Sequence, residues 1–157
     1  MARPLNYSTT VSAAKTAAEC QALLAEAGAA SVAVHYEDKE PAGLSFTLKT
    51  PHGTRAFSLP VDVAGAHLLI RDMLSKNPPH MSRAQLDKLG SRKHAGDVAW
   101  RVARDWLEAS LALVAAGMAT VTEIMLPYLV IGDDDRTLWE AYREREQAAI
   151  EMGEPGG

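Results

Sequence analysis

The basic residues between positions 83 and 94 are the part of this sequence best suited to contact a charged partner. In "SRAQLDKLGSRKHAG" a single acid, Asp87, opposes five basic side chains, which are Arg83, Lys88, Arg92, Lys93 and His94. Phosphates of nucleic acids bind to such clusters of cations without regard to base sequence. The segment predicts a surface for DNA or RNA, which Lys76 and His80 would extend, although a solvated loop has the same composition.

Other residue types that could do chemistry are scattered along the chain. The five histidines show no metal-ligand spacing, and Cys20 is the single cysteine, so we expect no zinc site. The acids of "GDDDRT" lack the spacing of a calcium-binding loop and are typical of a turn before a helix. No nucleophile elbow, phosphate loop or dinucleotide fingerprint is present. We therefore expect a non-enzymatic protein without catalytic residues, metal or cofactor.

Charge is distributed unevenly along the chain, whose formal net charge is -4. From Lys76 to Arg104 seven basic residues face two acids, and from Asp133 to the end eight acids face three arginines. Such segregation can serve an anionic partner. Alternatively, the two segments attract each other within one fold or across a dimer.

Length and composition indicate an ordinary globular domain. The chain has 157 residues, of which 47% are hydrophobic, enough for one domain with its own core. A single cysteine excludes an intramolecular disulfide and is typical of a reducing compartment. No apolar run approaches the roughly 20 residues of a membrane span, and the N-terminus lacks a signal-like hydrophobic stretch. We expect a cytoplasmic protein without a membrane partner, with one domain at 1–152 and a tail at 153–157.

The first half of the sequence predicts a helix followed by three strands. Ser12 is a candidate N-cap for a helix that ends at Gly28. The segments "SVAVHY", "LSFTLK" and "RAFSLP" alternate in hydrophobicity, and "EDKEPAG" and "TPHG" are predicted as the turns between them. The result is an antiparallel meander with Val32, Val34 and Tyr36 facing inward. The small residues of its outer face lack the aromatic rings that stack on bases, and they suit packing by a partner subunit.

Helices are predicted for the remainder of the chain. Asp62 caps a helix to about Ser75, which "NPP" ends. The pairs Ser82 with Gln85 and Thr137 with Glu140 have capping-box spacing, and the helix that Ser82 opens is interrupted near Gly90. The sequence thus predicts an α+β fold with an α-β-β-β-α part at 1–75 and a helical part at 82–150.

The stretch "VAWRVARDWLEASLALVAAG" predicts a long central helix. Its apolar residues form two stripes, so we expect Trp100 and Trp106 to be buried on two separate flanks. Acids stand four residues from Arg101 and Arg104, namely Asp97, Asp105 and Glu108, and they match the arginines on the same helix. This pattern favours a core helix over a phosphate-binding surface.

Three segments of the chain resemble a family of small uncharacterised proteins from bacteriophages, prophages and related bacterial sequences. They are "NYSTTVSAAKTAAECQALLAEAGA", "TPHGTRAFSLP" and "VAWRVARDWLEASLALVAAGMATVTEIMLPYL". The resemblance implies a phage or mobile-element context and no particular activity. The order of elements also resembles the double-stranded-RNA-binding domain, but the lysine cluster that opens that family's second helix is absent from "LPVDVAGAHLL".

Two hypotheses about function follow. In the first, the chain is a phage-type accessory protein that contacts nucleic acid, or a nucleic-acid machine, through the basic segment. In the second, it is a protein-interaction or self-assembling module, for example an inhibitor of a host protein. This module would use the small-residue sheet face and the acidic last helix against the basic segment.

Overall fold

The computed structural model describes residues 4–153, so most of the predicted tail lies outside the described residues. It has an N-terminal helix, a three-stranded antiparallel sheet and a helical C-terminal half, which confirms the predicted α+β class. The helices are α1 (Ala13–Glu26), α2 (Val63–Lys76), α3 (Arg83–Leu89), α4 (Arg92–Ala115), α5 (Val121–Met125) and α6 (Leu138–Glu151). The strands are β1 (Ser31–Glu37), β2 (Glu40–Thr50), β3 (Gly53–Pro60), β4 (Val130–Ile131) and β5 (Arg136–Thr137).

The predicted meander is formed by β1, β2 and β3 in that order. The first turn is shorter than predicted, because Asp38 and Lys39 both adopt positive φ and close a two-residue hairpin. Strand β2 consequently begins at Glu40 and accommodates a bulge at Ala42, whose carbonyl accepts from the Val61 backbone N–H at 2.9 Å. Beyond this bulge Tyr36 is 61% exposed, so its predicted inward position is wrong.

The main core lies between the inner face of the sheet and two helices, α1 and α4. Phe46 and Phe57 stack across β2 and β3 with ring centroids 5.7 Å apart. Trp100 of α4 is fully buried above them, and its indole N–H donates to the Pro41 carbonyl oxygen at 2.9 Å. Since this bond satisfies both buried groups, it fixes α4 against the start of β2.

Helix α2 packs against the N-terminal half of α4, where Ile70, Ala95 and Val98 form a second, smaller buried cluster. The predicted capping box of Ser82 and Gln85 opens α3, which ends at Gly90 as expected. Ser91, which was not among the predicted caps, then caps α4 by accepting from the His94 backbone N–H. The long central helix is thus separated from α3 by a two-residue break.

After α4 the chain returns to the sheet and then leaves it again. A short 3-10 turn at Leu126–Tyr128 precedes a ribbon of β4 and β5, and Leu129 bridges to Phe57 of β3. The predicted capping box of Thr137 and Glu140 opens α6. None of the residues of α6 is buried, and the helix contacts the 3-10 turn and β5, with Glu144 paired to Arg136 at 2.7 Å. Among the described helices, none is long and apolar enough to cross a membrane.

Candidate interaction surfaces

The structure divides the five basic residues of the predicted nucleic-acid site between two helices. Arg83 and Lys88 are exposed on α3, whereas Arg92 and Lys93 are exposed in the first turn of α4. His94 is only 9% exposed, and its Nε2 hydrogen-bonds the carbonyl oxygen of Tyr7. His94 therefore attaches the N-terminal segment to α4 instead of contributing to the basic surface, and we correct its predicted role accordingly.

Acidic residues from distant parts of the chain surround the α4 end of the basic segment. Arg92 and Lys93 line a cleft of about 380 Å³, whose rim also carries four carboxylates, those of Glu37, Asp38, Glu40 and Asp62. The ammonium of Lys93 also lies 3.8 Å from the Asp97 carboxylate. These acids are distant in sequence from the basic segment, so the local balance of charge does not include them. They reduce the positive potential near Arg92 and Lys93.

Most of the cationic side chains of the segment are not ion-paired. Within residues 4–153, Arg83, Lys88 and Arg92 take part in none of the observed ion pairs. The first turn of α4 also adds the positive end of a 24-residue helix to the local field. The remaining cationic surface is therefore centred on α3 and the start of α4.

The polar strip of α4 faces α1 and the N-terminal segment. Arg104 pairs with Glu108 as predicted, but Arg101 pairs with Glu19 of α1 instead of with the acids on its own helix. Those acids have other partners: Asp97 accepts from the Ala13 backbone N–H, and Asp105 accepts from the side chain of Asn6, both at 2.8 Å. The Asn6 bond is the main cause of a lowered pKa at Asp105. Spacing along one helix could not reveal these partners, since they come from α1 and the N-terminal segment.

One of the two apolar flanks of α4 remains uncovered. Val98, near the N-terminal end of this flank, is buried against α2. Farther along the flank, Val102, Trp106 and Leu113 are 38%, 37% and 38% exposed. The prediction that Trp106 is buried is thus wrong, whereas the burial of Trp100 is confirmed. Helix α2 buries Val98 near the N-terminal end of this flank, whereas Val102 and Trp106 are covered only in part, Trp106 by the ring of Tyr128.

The uncovered flank forms one wall of an apolar groove of about 460 Å³, here termed the α2–α4 groove. Leu69 of α2 forms the opposite wall and is 40% exposed. Leu5 and Tyr128 also line the groove, and the Tyr128 ring meets Trp106 edge to face with centroids 5.6 Å apart. Exposed apolar surfaces of this kind commonly mark contact sites.

A second group of exposed apolar side chains lies on α6. Trp139 and Tyr142 are 49% and 53% exposed, and their rings stack with centroids 5.9 Å apart. At 100° per residue, these two and the exposed Ile150 fall within an arc of about 80°. Glu146 falls inside the same arc, whereas the other three glutamates and both arginines of α6 lie outside it. This helix is therefore acidic, with an exposed apolar stripe that one glutamate interrupts.

The remaining candidate sites offer little reactivity. Burial raises the pKa of the Cys20 thiol to about 11, so the thiol stays protonated at neutral pH. His67 hydrogen-bonds the carbonyl oxygen of Gly90 at 2.9 Å, and His35 is bonded to Ser45 on the outer sheet face. Within the described part of the chain, no group of three or more potential ligands could hold a metal ion.

Comparison with known proteins adds no assignment. No family model matches the sequence, and no curated protein and no solved structure matches the chain significantly. The resemblance to bacteriophage proteins therefore stays a prediction from the residues themselves.

Proposed function

We propose that this protein is a self-assembling protein-interaction module whose contact surface is the α2–α4 groove. The observation that carries the proposal is the uncovered flank of α4, on which Trp106 lies at the mouth of an apolar groove beside Val102. Leaving these side chains in water forgoes roughly 25 cal/mol for each Å² of apolar surface that a partner would bury. The resemblance to phage proteins favours a bacteriophage or prophage setting.

The composition of the groove supports a protein partner. Aromatic residues are enriched in the cores of protein interfaces, and charged residues are depleted there. Trp106 and Tyr128 supply such aromatic surface, and Asp62 is the single charged residue among the residues that line the groove. A second copy of the chain is the simplest partner, because a two-fold dimer buries the same patch on both subunits.

A pair of neighbouring leucines provides the test. Leu69 lines the groove, whereas Leu68, next to it on α2, is 71% exposed and does not line it. We expect Leu69→Glu to weaken self-association at least about tenfold in sedimentation velocity, because the new carboxylate would be desolvated in the interface. The matched control Leu68→Glu should associate like the wild type. Equal behaviour of the two variants would contradict the proposal.

We propose contact with nucleic acid as a second function, through Arg83, Lys88, Arg92 and Lys93. It is supported by the exposure of these side chains and by the helix N-terminus beside Arg92. The carboxylates around Arg92 and Lys93 lower the positive potential that would attract phosphates. For this reason we prefer assembly through the groove as the function. In this function the chain would act as a phage-type accessory protein.

Fluorescence anisotropy with a labelled DNA or RNA at low salt tests this second function. Arg83→Ala/Lys88→Ala should reduce binding. The slope of log K against log salt concentration should also become shallower, by the amount that up to about two phosphate contacts contribute. The control Arg143→Ala/Arg145→Ala removes the same charge from α6 and should have little effect. An absence of binding, or equal losses in both variants, would rule out this site.

A further inference from the structure

We infer that the N-terminal segment, residues 4–12, is a removable cover that limits access to the α2–α4 groove, and that the bond between Asn6 and Asp105 holds it in place. This inference rests on the proposed self-assembly and names a device that regulates it. Release of the segment would uncover more apolar surface and strengthen association between copies.

The first two residues of the segment form part of the groove wall. Pro4 and Leu5 line the groove together with Val102 and Trp106 of α4. Pro4 is buried, whereas Leu5 is 64% exposed. A partner side chain that enters this part of the groove has to displace these two residues or stay above them. The volume of about 460 Å³ is therefore what remains open with the segment in place.

Three side chains of α4 hold the segment and the start of α1, and they lie within about 80° of one another around the helix. They are His94, Asp97 and Asp105. His94 bonds the carbonyl oxygen of Tyr7, and Asp97 accepts from the backbone N–H of Ala13, the first residue of α1. This arc borders the apolar stripe of α4 that lines the groove.

The bond between Asn6 and Asp105 joins the segment to α4 beside the groove. The Asn6 side chain donates to the Asp105 carboxylate at 2.8 Å. Asn6 directly follows Leu5, and Asp105 directly precedes Trp106, so the bond lies next to groove residues on both sides. It is also the main cause of the lowered pKa of Asp105, so the acceptor is ionised at neutral pH and the bond is charge-assisted. Loss of this one bond is therefore expected to free Pro4 and Leu5.

The segment can move without unfolding the rest of the subunit. It contains no helix or strand, and a turn bond from the Thr9 N–H to the Asn6 carbonyl oxygen at 3.0 Å shapes it locally. Segments with few buried contacts open at a small cost in free energy. If only copies with an open groove associate fully, the apparent dissociation constant is the intrinsic one divided by the open fraction. A larger open fraction thus gives tighter association.

Removing the bond from either side tests the cover. Asp105→Ala removes the acceptor, and Asn6→Gly removes the donor while tolerating the positive φ of this position. Each variant should self-associate at least about threefold more tightly than the wild type in sedimentation velocity. Amide hydrogen exchange in residues 5–12 should also be faster. The double variant should gain no more than either single variant, because both changes remove the same bond.

Two controls separate this effect from changes in charge and flexibility. Glu108→Ala removes the other acid that pairs with Arg104 on α4. Ser8→Gly adds a glycine to the same turn at an exposed residue. Both controls should associate like the wild type. Leu69→Glu added to Asp105→Ala should remove the gain, because the gain arises in the groove.

The outcomes distinguish failure of the cover from failure of the groove as an interface. If Leu69→Glu weakens association of the wild type, but Asp105→Ala and Asn6→Gly associate no more tightly than their controls, the groove is an interface and the cover is overturned. Weaker association of these two variants also overturns it, because the segment would then be part of the interface. A gain in Asp105→Ala that persists with Leu69→Glu does not arise in the groove and likewise overturns the cover. A chain that stays monomeric in every variant overturns both the cover and the proposed self-assembly.

Discussion

Trp100 and Trp106 show how differently two residues of one helix are used. Six positions separate them, which places them about 120° apart around α4. Trp100 is fully buried and donates its indole N–H to the Pro41 carbonyl, whereas Trp106 is 37% exposed beside Tyr128. The first side chain therefore maintains the fold of each subunit, and the second is available to a partner.

Alanine substitutions should separate these two roles. Trp100→Ala leaves a large cavity and an unpaired buried carbonyl, so we expect a loss of roughly 3–5 kcal/mol in the free energy of unfolding. Trp106→Ala should cost the isolated subunit less than Trp100→Ala, because part of its ring already faces solvent, while weakening self-association. Urea denaturation at low protein concentration measures both values. Comparable losses of subunit stability would show that Trp106 is also a core residue.

Cys20 provides a prediction about pH. Its pKa rises from 9.0 to about 11 on burial, so the folded state retains the thiol proton more strongly than the unfolded state. This contribution to stability is complete below about pH 9 and is lost as the pH rises toward 11. Unfolding free energies measured across this window should fall more steeply in the wild type than in Cys20→Ala. The thiol should also resist aromatic disulfide reagents at pH 8 until denaturant is added.

Helices α3 and α4 have similar serine caps but different structural importance. Ser82 and Ser91 each accept a backbone N–H at the start of their helix. Helix α4 contributes Trp100 and Leu107 to the core, whereas none of the seven residues of α3 is buried. Loss of the α4 cap therefore affects the cooperative unit, and loss of the α3 cap affects a local segment.

Cap substitutions test this difference between the elements. Ser91→Ala should lower the free energy of unfolding by about 1 kcal/mol. Ser82→Ala should leave global stability nearly unchanged and accelerate amide hydrogen exchange within α3. Equal effects on global stability would mean that α3 belongs to the cooperative core.

Local signals predicted most elements correctly, and longer-range structure accounts for the exceptions. Capping residues and periodicity predicted the start of α1 at Ser12, of α2 at Asp62 and of α6 at Thr137, and the structure confirms all three. The ribbon of β4 and β5 was not predicted, because two-residue strands are too short to show alternation. It forms where Leu129 reaches the edge of β3, a contact between distant parts of the chain.

At the scale of the whole molecule, the sequence predicts which residues are apolar but not which of them are covered. The second stripe of α4 has the pattern of a buried flank, yet α2 buries only Val98, near the N-terminal end of the stripe. His94 shows the opposite case: a residue of the predicted basic surface is buried, and its ring hydrogen-bonds the carbonyl oxygen of Tyr7, 87 positions away. Both outcomes depend on how distant segments pack, and a local pattern carries no information about this.

Assembly is the simplest physical reason for the exposed apolar surfaces. The α2–α4 groove is apolar and includes the partly exposed Val102 and Trp106. A closed two-fold dimer would bury the grooves of both copies and leave neither for further growth. We therefore expect association to stop at the dimer.

Sedimentation equilibrium of the wild-type chain over a concentration series tests this central claim most directly. The account predicts that the apparent mass rises with concentration from the 16.9 kDa of the single chain and levels off at twice that value. A mass that stays at 16.9 kDa throughout the micromolar to millimolar range would contradict it.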